Sequence, residues 1–562
     1  MQATSPSISE PCAPTPVDVL IIGAGINGAG LFRDLCEQGI TAMLVDKGDY
    51  GSGTSAAPSR LIHGGIKYLE TAELRLVAQS ALERNLLLKN APHQVHPLKT
   101  TIPIFSWFKG TTAALRTLFG STSAPRSRGA VLVKIGLRLY DYFGAQNRVM
   151  PRHRMLSKKR ALSILPNLTN RIVAAGVYYD AKVNYPERLV LELVQDGLGA
   201  NPKARALNYT RVLGQTSGIV ELQGDSGQRY RVQPKIVVNA AGPWIDKVNQ
   251  SIGVQSTLIG GTKGSHVIID HPELAQQLKD QMIYFEADDG RICLIFEYLG
   301  RLILGSSDIP HDDPDQVGCT EAELQYFLNS VRALLPGTQI TQEQIVYAYS
   351  GIRPLPRSQA REPGLISRDH SAPRIDATPE RPFSILSLVG GKWTTFRGFA
   401  EEVADTLLEE LKHPRKCSTR QLSIGGGAGY PEPHERHDWI RALADNTGLT
   451  EVRIQQLLER YGTRAAAIAQ QESTTNRKEK LESGTAYSPA ELDWIARHEQ
   501  VVHLDDLLIR RTALAVRGDL DIAGIEEISA IVAAALGWPE SVRLDEVKKS
   551  IELLRTKHQV KL

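Results

Sequence analysis

The chain has 562 residues, which allows two to four domains, and its 42% hydrophobic and 23% charged residues are typical of a soluble globular protein. The formal net charge of +3 gives no indication of a nucleic-acid partner. No apolar run approaches the roughly 18 residues that span a bilayer, so a transmembrane helix is not expected. The five cysteines show no paired or zinc-binding spacing, which predicts a reducing compartment and no metal site.

The N-terminal residues 1–16 lack the basic start and apolar run of a signal peptide, and we expect a disordered tail. The stretch from Val17 to Asp49 then predicts a strand, a glycine-rich turn, a helix and a second strand, the unit that binds dinucleotides. Its glycines allow a tight turn and close approach of a pyrophosphate to the helix N-terminus, and its terminal acid accepts hydrogen bonds from a ribose. The residues in these roles are Gly23, Gly25, Gly28 and Asp46.

The next segment, from Gly51 to Glu70, is rich in small and hydroxylated residues that can lie against a large flat ligand. Backbone amides and hydroxyls of this kind bind phosphates or ring heteroatoms. The alternative is a polar surface loop. The candidate binding residues are Ser52, Thr54, Ser55, Ser59, His63, Gly64, Gly65, Lys67 and Tyr68.

A helix is predicted from Glu73 to Leu88, and further motifs follow in a recognisable order. GAGINGAG (23–30), SGTS (52–55) and RLIHGGIKYLE (60–70) together resemble the FAD-dependent glycerol-3-phosphate dehydrogenases and oxidases. The likeness continues through most of the chain in KIGLRLYDYFG (134–144), GVYYDAKVNYPERLVLELV (176–194), VVNAAGPW (237–244), KGSH (263–266), GSSD (305–308), YSGIRPL (349–355), ISRDH (366–370) and GGKWTTFR (390–397).

The resemblance implies an α/β fold: a Rossmann-like FAD-binding domain of the two-dinucleotide-binding type, with an inserted α+β substrate domain. The FAD-binding parts are expected at about 17–100, 171–254 and 381–425, and the substrate-domain parts at about 101–170 and 255–380. Alternating polar and apolar residues between Asn208 and Gln233 predict an antiparallel meander within the first domain. Residues 426–562 show helical apolar spacing and predict a C-terminal helical domain for packing or oligomer support.

Two positions depart from the family pattern. Lys67 stands where the family most often has arginine, which keeps the charge but loses the planar fork that suits phosphate. Asp46 replaces the usual glutamate. The segment Phe105 to Ser127 is longer than the family's equivalent, and its aromatic and basic residues suit an anionic membrane surface; a solvated loop is the alternative.

Oxidation of a secondary alcohol needs a hydride acceptor and a base for the hydroxyl proton, and His63 and His266 are the candidate bases. The family pattern brings together cations for a substrate phosphate: Lys67, Arg353, Arg368 and Lys392, of which Arg353 and Lys392 are also catalytic candidates. It places the remaining flavin contacts at Gly242, Gly391, Thr394 and Thr395.

The resemblance implies FAD-dependent oxidation of sn-glycerol 3-phosphate to dihydroxyacetone phosphate, with hydride transfer to flavin N5 and electrons passed to a membrane quinone. Alternatives are an O2-reducing oxidase, an amine- or 2-hydroxy-acid-oxidising flavoenzyme in which Arg353 binds a carboxylate, and a non-catalytic flavin-binding or membrane-associated protein. The location expected is cytoplasmic, with peripheral contact to the anionic inner face of the cell membrane. A homodimer is an open alternative to a monomer.

Overall fold

A computed structural model describes residues 13–69, 73–109, 129–145, 149–287, 289–357, 369–474 and 481–562. The described strands form one eight-stranded and one ten-stranded sheet. The strands are β1 Thr15–Ile22, β2 Ala42–Val45, β3 Leu61–Ile62, β4 Val95–Ile104, β5 Arg154–Ser157, β6 Ala174–Val183, β7 Arg205–Leu207, β8 Thr210–Thr216, β9 Ile219–Gly224, β10 Arg229–Asn239, β11 Ile259–Ile269, β12 Gln281–Glu286, β13 Ile292–Tyr298, β14 Arg301–Gly305, β15 Ile309–Pro310, β16 Ile345–Pro356, β17 Arg374–Ile375 and β18 Ser384–Ser387.

The described helices cover the first sheet, flank the second and make up the C-terminal region. They are α1 Ile26–Glu37, α2 Leu74–Asn90, α3 Ala130–Phe143, α4 Lys158–Ile164, α5 Pro186–Ala200, α6 Ile245–Ser251, α7 Pro272–Gln277, α8 Glu321–Leu334, α9 Phe396–Glu410, α10 Arg436–Thr447, α11 Glu451–Tyr461, α12 Ala465–Thr474, α13 Pro489–His498, α14 Leu514–Arg517, α15 Ile522–Leu536 and α16 Glu540–His558. Among these described helices, none is long and apolar enough to cross a membrane.

The first sheet has a parallel centre in the order β18-β10-β1-β2-β7. Its strands carry apolar side chains on both faces. One face packs against α1, α5 and α9, and the other packs against a β-meander. The meander is β8, β9 and the first half of β10, and β10 then continues into the parallel sheet as one long strand. β1 begins at Thr15, so the last two residues of the predicted disordered tail belong to the sheet.

The second sheet is largely antiparallel and runs in the order β15-β11-β14-β13-β12-β4-β6-β3, with β16 paired to β11. One face packs against α8, and the other packs partly against the C-terminal helices. The α/β fold class, with a Rossmann-like sheet, a substrate-domain sheet and a helical C-terminal domain, is confirmed. The division into domains by residue number stays a prediction.

Buried ion pairs attach the C-terminal helices to the first sheet. Asp49, just after β2, accepts hydrogen bonds from Arg510 Nε (2.7 Å) and from Arg511 Nη1 and Nη2 (2.6 and 2.8 Å). In α5, Arg188 donates to both carboxylate oxygens of Glu499 (2.8 and 2.6 Å). The C-terminal region therefore holds the loop that follows the second strand of the dinucleotide-binding unit.

Candidate active site

The glycine-rich turn between β1 and α1 has no space for a Cβ at Gly23, and the first turn of α1 has none at Gly28. Gly23 has φ +107°, and a Cβ there would lie 2.5 Å from the carbonyl oxygen of Ala240 in the neighbouring strand end. A Cβ on Gly28 would overlap the Gly23 carbonyl group, so helix and turn touch through backbone alone. The two strands β1 and β10 consequently end side by side at the helix N-terminus, where a pyrophosphate binds in this type of unit.

Asp46 accepts a hydrogen bond from an amide within this turn, and Ser55 accepts one from the first amide of α1. The Ala24 N–H donates to Asp46 Oδ2 (2.6 Å), and the Ile26 N–H in the first turn of α1 donates to Ser55 Oγ (2.9 Å). Burial raises the pKa of Asp46 to about 6, although the N–H groups of Gly48 and Ala24 favour its ionised form. A Cβ on Gly25 would lie 3.1 Å from Ser55 Oγ, so the loop from 52 to 59 closes over the turn.

The other hydroxyls of that loop bind protein groups. Ser52 Oγ donates to the Asp49 carbonyl (2.7 Å), and Thr54 Oγ1 donates to the Ile352 carbonyl of β16 (2.6 Å). Ser59 Oγ lies 2.8 Å from Nε2 of His266. Thr54 and Ser59 therefore attach the loop to the substrate-domain sheet, Ser52 closes a turn with Asp49, and Ser55 is the member of the set at the helix N-terminus.

The turn from His63 to Gly65 lies between the two sheets. The His63 N–H donates to Thr394 Oγ1 (3.2 Å), and the Gly64 N–H donates to Tyr140 Oη (2.8 Å). The imidazole of His63 is half-buried, and its centroid is 6.1 Å from the ring of Tyr68. Gly65 has φ +76°, and its Cα faces the Tyr68 ring without room for a Cβ.

His266 is the more enclosed of the two candidate bases. Its ring stacks on Tyr349 with a centroid distance of 5.0 Å and an interplanar angle of 13°. Burial, together with the charges of Arg353 and Arg60, lowers its pKa to about 3. His266 is therefore a neutral imidazole at physiological pH, and a proton gained there is strongly disfavoured.

The candidate phosphate-binding cations are described in part. Arg353 of β16 lies opposite Thr262 of β11. Its Nη1 donates to Asp308 Oδ1 (3.0 Å) and its Nη2 to Ser306 Oγ (3.2 Å). Lys392 Nζ lies 3.4 Å from the centroid of the Tyr68 ring. The backbone of Lys67 belongs to a short 3₁₀ helix, Ile66–Leu69, and Arg368 lies outside the described residues.

The second glycine-rich region follows β18 and meets α1. Gly391 has φ +86°, and a Cβ on it would lie 2.8 Å from Nδ2 of Asn27. Trp393 Nε1 donates to the Ser55 carbonyl (3.1 Å), which joins this region to the hydroxyl-rich loop. Within the described part of the chain, Thr395 Oγ1 and Asn27 Oδ1 are buried and have no hydrogen-bond partner. Such atoms are suited to hold a polar ligand.

Gly242 lies at the start of a short helix, Gly242–Trp244, directly after β10. Its φ is +56°, and a Cβ there would meet no atom within 4 Å, so its surface is open.

Sequence reasoning missed several residues of this region. Asn27 and Trp393 lie inside recognised motifs, and an amide or an indole side chain near glycines is a usable sequence signal. Tyr140 and Asp180 also lie in recognised motifs, KIGLRLYDYFG and GVYYDAKVNYPERLVLELV. Their contact with the Gly64 amide depends on chain segments 76 and 116 residues away.

The parallel sheet, the glycine turn with Asp46 and the second glycine region define the class of flavoproteins of the two-dinucleotide-binding type. A family model described as FAD dependent oxidoreductase matches residues 18–406, and the C-terminal domain of alpha-glycerophosphate oxidase matches residues 417–543. The chain is 31% identical to the glycerol-3-phosphate dehydrogenase of Synechocystis sp., covering 96% of each protein. It is 29% identical to the mitochondrial glycerol-3-phosphate dehydrogenase SDP6 of Arabidopsis thaliana, covering 97% of this chain and 87% of that protein.

A solved structure agrees over nearly the whole length. The glycerol-3-phosphate dehydrogenase from Bacillus halodurans, complexed with FAD, has a TM-score of 0.73 at 23% identity and covers 96% of this chain and 95% of its own. The chain belongs to the FAD-dependent glycerol-3-phosphate dehydrogenase family.

FAD is the cofactor of this family, and the residues present fit it. The side-chain-free turn at Gly23, the open Gly242 surface, and the buried Thr395 Oγ1 and Asn27 Oδ1 provide a cradle and hydrogen-bonding groups for a dinucleotide.

Proposed function

We propose that the protein oxidises sn-glycerol 3-phosphate to dihydroxyacetone phosphate. The main support is the similarity, over nearly the whole chain, to relatives named glycerol-3-phosphate dehydrogenase. The histidines and cations around the 52–68 loop add to it. The reaction removes a hydride from C2 and a proton from the C2 hydroxyl. When bound, FAD would supply the hydride acceptor, at its N5 atom.

His63 is proposed as the base that takes the hydroxyl proton. Its main chain is held by Thr394, and its half-buried ring faces Tyr68 in the turn that lies between the sheets. His266 has a pKa of about 3, so it is a poor proton acceptor. We assign His266 a different role, as a neutral ring that orients the loop through Ser59.

Arg353 and Lys392 are proposed to bind the substrate phosphate. The contacts of Arg353 with Asp308 and Ser306 hold its planar guanidinium in one orientation, and a fork of this kind binds phosphate in a bidentate manner. Lys392 is held over the Tyr68 ring by a cation–π contact, which keeps the ammonium beside the His63 turn. Lys67 and Arg368 are proposed to complete the set.

A membrane quinone is proposed as electron acceptor, with the protein bound at the cytoplasmic face of the cell membrane. The support is an unusual surface on α3, where four large apolar side chains are exposed at helical spacing: Val131, Ile135, Leu139 and Tyr142. Trp107 and Phe108 are exposed beside the start of this helix, whose first residues contact their backbone. The other exposed positions of this fully described helix are Lys134 and Arg138, which suit anionic lipid headgroups.

The segment predicted to contact the membrane, Phe105 to Ser127, is described only in part. Residues 110–128 lie outside the described residues, so the surface defined here consists of 105–109 and α3.

Anaerobic reduction of the flavin tests the reaction. Glycerol 3-phosphate added to the purified yellow protein without oxygen is expected to bleach the visible absorption of the oxidised flavin. One molecule of dihydroxyacetone phosphate should form for each flavin that is reduced. Glycerol, which lacks the anion, should leave the absorption nearly unchanged. Equal bleaching by both alcohols, or bleaching by an amino acid instead, contradicts the proposal.

Reoxidation then distinguishes the acceptors. A soluble quinone analogue is expected to restore the oxidised spectrum much faster than air-saturated buffer does. Faster reoxidation by O2, with hydrogen peroxide formed, identifies the protein as an oxidase.

A further inference from the structure

Three elements from different parts of the chain converge on one backbone amide beside the proposed base. The Gly64 N–H donates to Tyr140 Oη of α3 (2.8 Å) and to Asp180 Oδ1 of β6 (3.1 Å). Arg84 of α2 donates through Nη1 to the same two oxygens, at 2.8 and 3.1 Å. All three side chains are at least 95% buried. The amide of the turn is therefore held by a closed polar cluster.

Every hydrogen-bonding position of the Tyr140 hydroxyl is used in this cluster. Its oxygen accepts from Gly64 and Arg84, and its proton is donated to Asp180. Arg84 also donates to the Tyr179 carbonyl (3.1 Å), which fixes the guanidinium on β6. The charge of Arg84 balances that of Asp180, so the buried carboxylate is paired and hydrogen-bonded.

Packing adds a second constraint on the same turn. The ring of Tyr140 covers Gly64 so closely that a Cβ there would lie 2.8 Å from its Cε2 and Cζ atoms. The ring also meets Tyr178 edge-on with a centroid distance of 5.5 Å. The packing of Tyr140 thus explains why the first glycine of the His-Gly-Gly motif, Gly64, has no room for a side chain.

We propose that Arg84, Tyr140 and Asp180 are positioning residues that hold the His63–Gly65 turn, and with it the His63 imidazole, against the flavin. An ion pair that only stabilised the fold would need Arg84 and Asp180 alone. Here the tyrosine hydroxyl and the carboxylate share the amide of the residue next to His63. The inference rests on the proposed function for the role of His63, but not for the anchoring of the turn.

Tyr140→Phe in the FAD-loaded enzyme tests the proposal, because it keeps the ring that covers Gly64 and removes the hydroxyl. Amide hydrogen exchange across residues 61–65 is expected to rise about fivefold, the effect of losing one hydrogen bond of ordinary strength. The visible absorption bands of the flavin should shift. With a soluble dye as acceptor, kcat should fall about fivefold while KM for glycerol 3-phosphate changes less than about twofold.

Tyr230→Phe is the matched control. It likewise converts a tyrosine to phenylalanine and removes the hydrogen bond from Tyr230 Oη to Gln228 Oε1 (2.9 Å), but in the meander of the first sheet. Exchange at 61–65, the flavin spectrum and kcat should match those of the wild type. Equal changes in both variants, or no change in Tyr140→Phe, overturn the proposal.

Arg84→Lys serves as a second variant should Tyr140→Phe fold poorly. Lysine keeps the charge opposite Asp180 but loses the fork, so an intermediate rise in exchange is expected, and wild-type exchange would overturn the proposal. Exchange and spectrum need no substrate. Faster exchange in a protein that does not oxidise glycerol 3-phosphate would refute the proposed function and leave the anchoring of the turn intact.

Discussion

At the scale of single residues, the predicted contact of Asp46 with the ribose of FAD leads us to expect a pH dependence of cofactor binding. Burial raises the pKa of its carboxyl to about 6, above the ordinary value of 3.8. In the predicted contact a ribose hydroxyl donates to the ionised form, so protonation of Asp46 would compete with FAD binding. Affinity is expected to be full above about pH 7, to decrease as pH falls through about 6, and to be about tenfold lower at about pH 5.

Fluorescence titration of the apoprotein with FAD at several pH values measures this dependence. Asp46→Asn should bind FAD more weakly at neutral pH and lose the change near pH 6. A wild-type affinity that is constant from about pH 5 to about pH 8 would contradict the role of Asp46.

The two described cations of the proposed phosphate site give a second prediction at this scale. Arg353→Leu and Lys392→Met should each weaken kcat/KM for glycerol 3-phosphate by about 1.5–3 kcal/mol, because each removes a charge-assisted contact to a desolvated phosphate. Flavin content should change little. Steady-state kinetics with a dye acceptor provide the measurement, and Lys279→Met, on an exposed lysine after α7, provides the control.

At the scale of secondary-structure elements, the loop after β2 depends on the C-terminal helices. Arg511 is fully buried, and both terminal nitrogens of its guanidinium bind Asp49, three residues beyond Asp46. Arg511→Met leaves the buried carboxylate with fewer donors and is expected to lower the free energy of unfolding by about 3–5 kcal/mol. FAD should also dissociate more readily, because the Asp46 loop loses support.

Thermal unfolding and flavin release measure both effects. Arg497→Met is the control, since Arg497 pairs with Asp493 at the surface and its removal should cost at most about 0.5 kcal/mol. A similar loss of unfolding free energy in the two variants would show that the contact between Arg511 and Asp49 contributes no more than a surface ion pair.

At the scale of the whole molecule, the exposed apolar side of α3 predicts how the protein reaches a quinone. Ile135 is 51% and Tyr142 75% exposed, beside Lys134 and Arg138. Binding to vesicles should be peripheral, stronger on anionic than on neutral lipid, and weakened but not abolished by high salt, because apolar and charged contacts both contribute.

Ile135→Glu with Leu139→Glu should release the protein from anionic vesicles in a co-sedimentation assay, with activity towards a soluble dye retained. Val452→Glu introduces a single glutamate at an exposed valine of α11 and should leave binding unchanged. Retention of the double variant on vesicles, or failure of the wild type to bind, would assign α3 another role and favour O2 as the acceptor.

Local patterns determined a large part of the fold. The strand, turn and helix at Val17–Glu37 follow from contiguous apolar residues and from glycines at positions where no Cβ fits, as at Gly23. The C-terminal helices follow from apolar residues at helical spacing. The family motifs also predicted the FAD-binding fold, because their order along the chain is a sequence property. Roles of single site residues remain predictions.

Only the tertiary structure decided which distant groups meet. Asp49 binds Arg511, 462 residues away, and the Gly64 amide meets Asp180, 116 residues away. The structure also gives the two histidines different environments: His63 is half-buried, whereas His266 is fully buried near the charge of Arg353. Such contacts depend on strand register and on the path of the chain between sheets, and a register change of one residue turns a side chain to the opposite face. The spacing of apolar residues along the chain indicates whether a segment forms a helix or a strand, but it does not specify which distant residues that segment contacts.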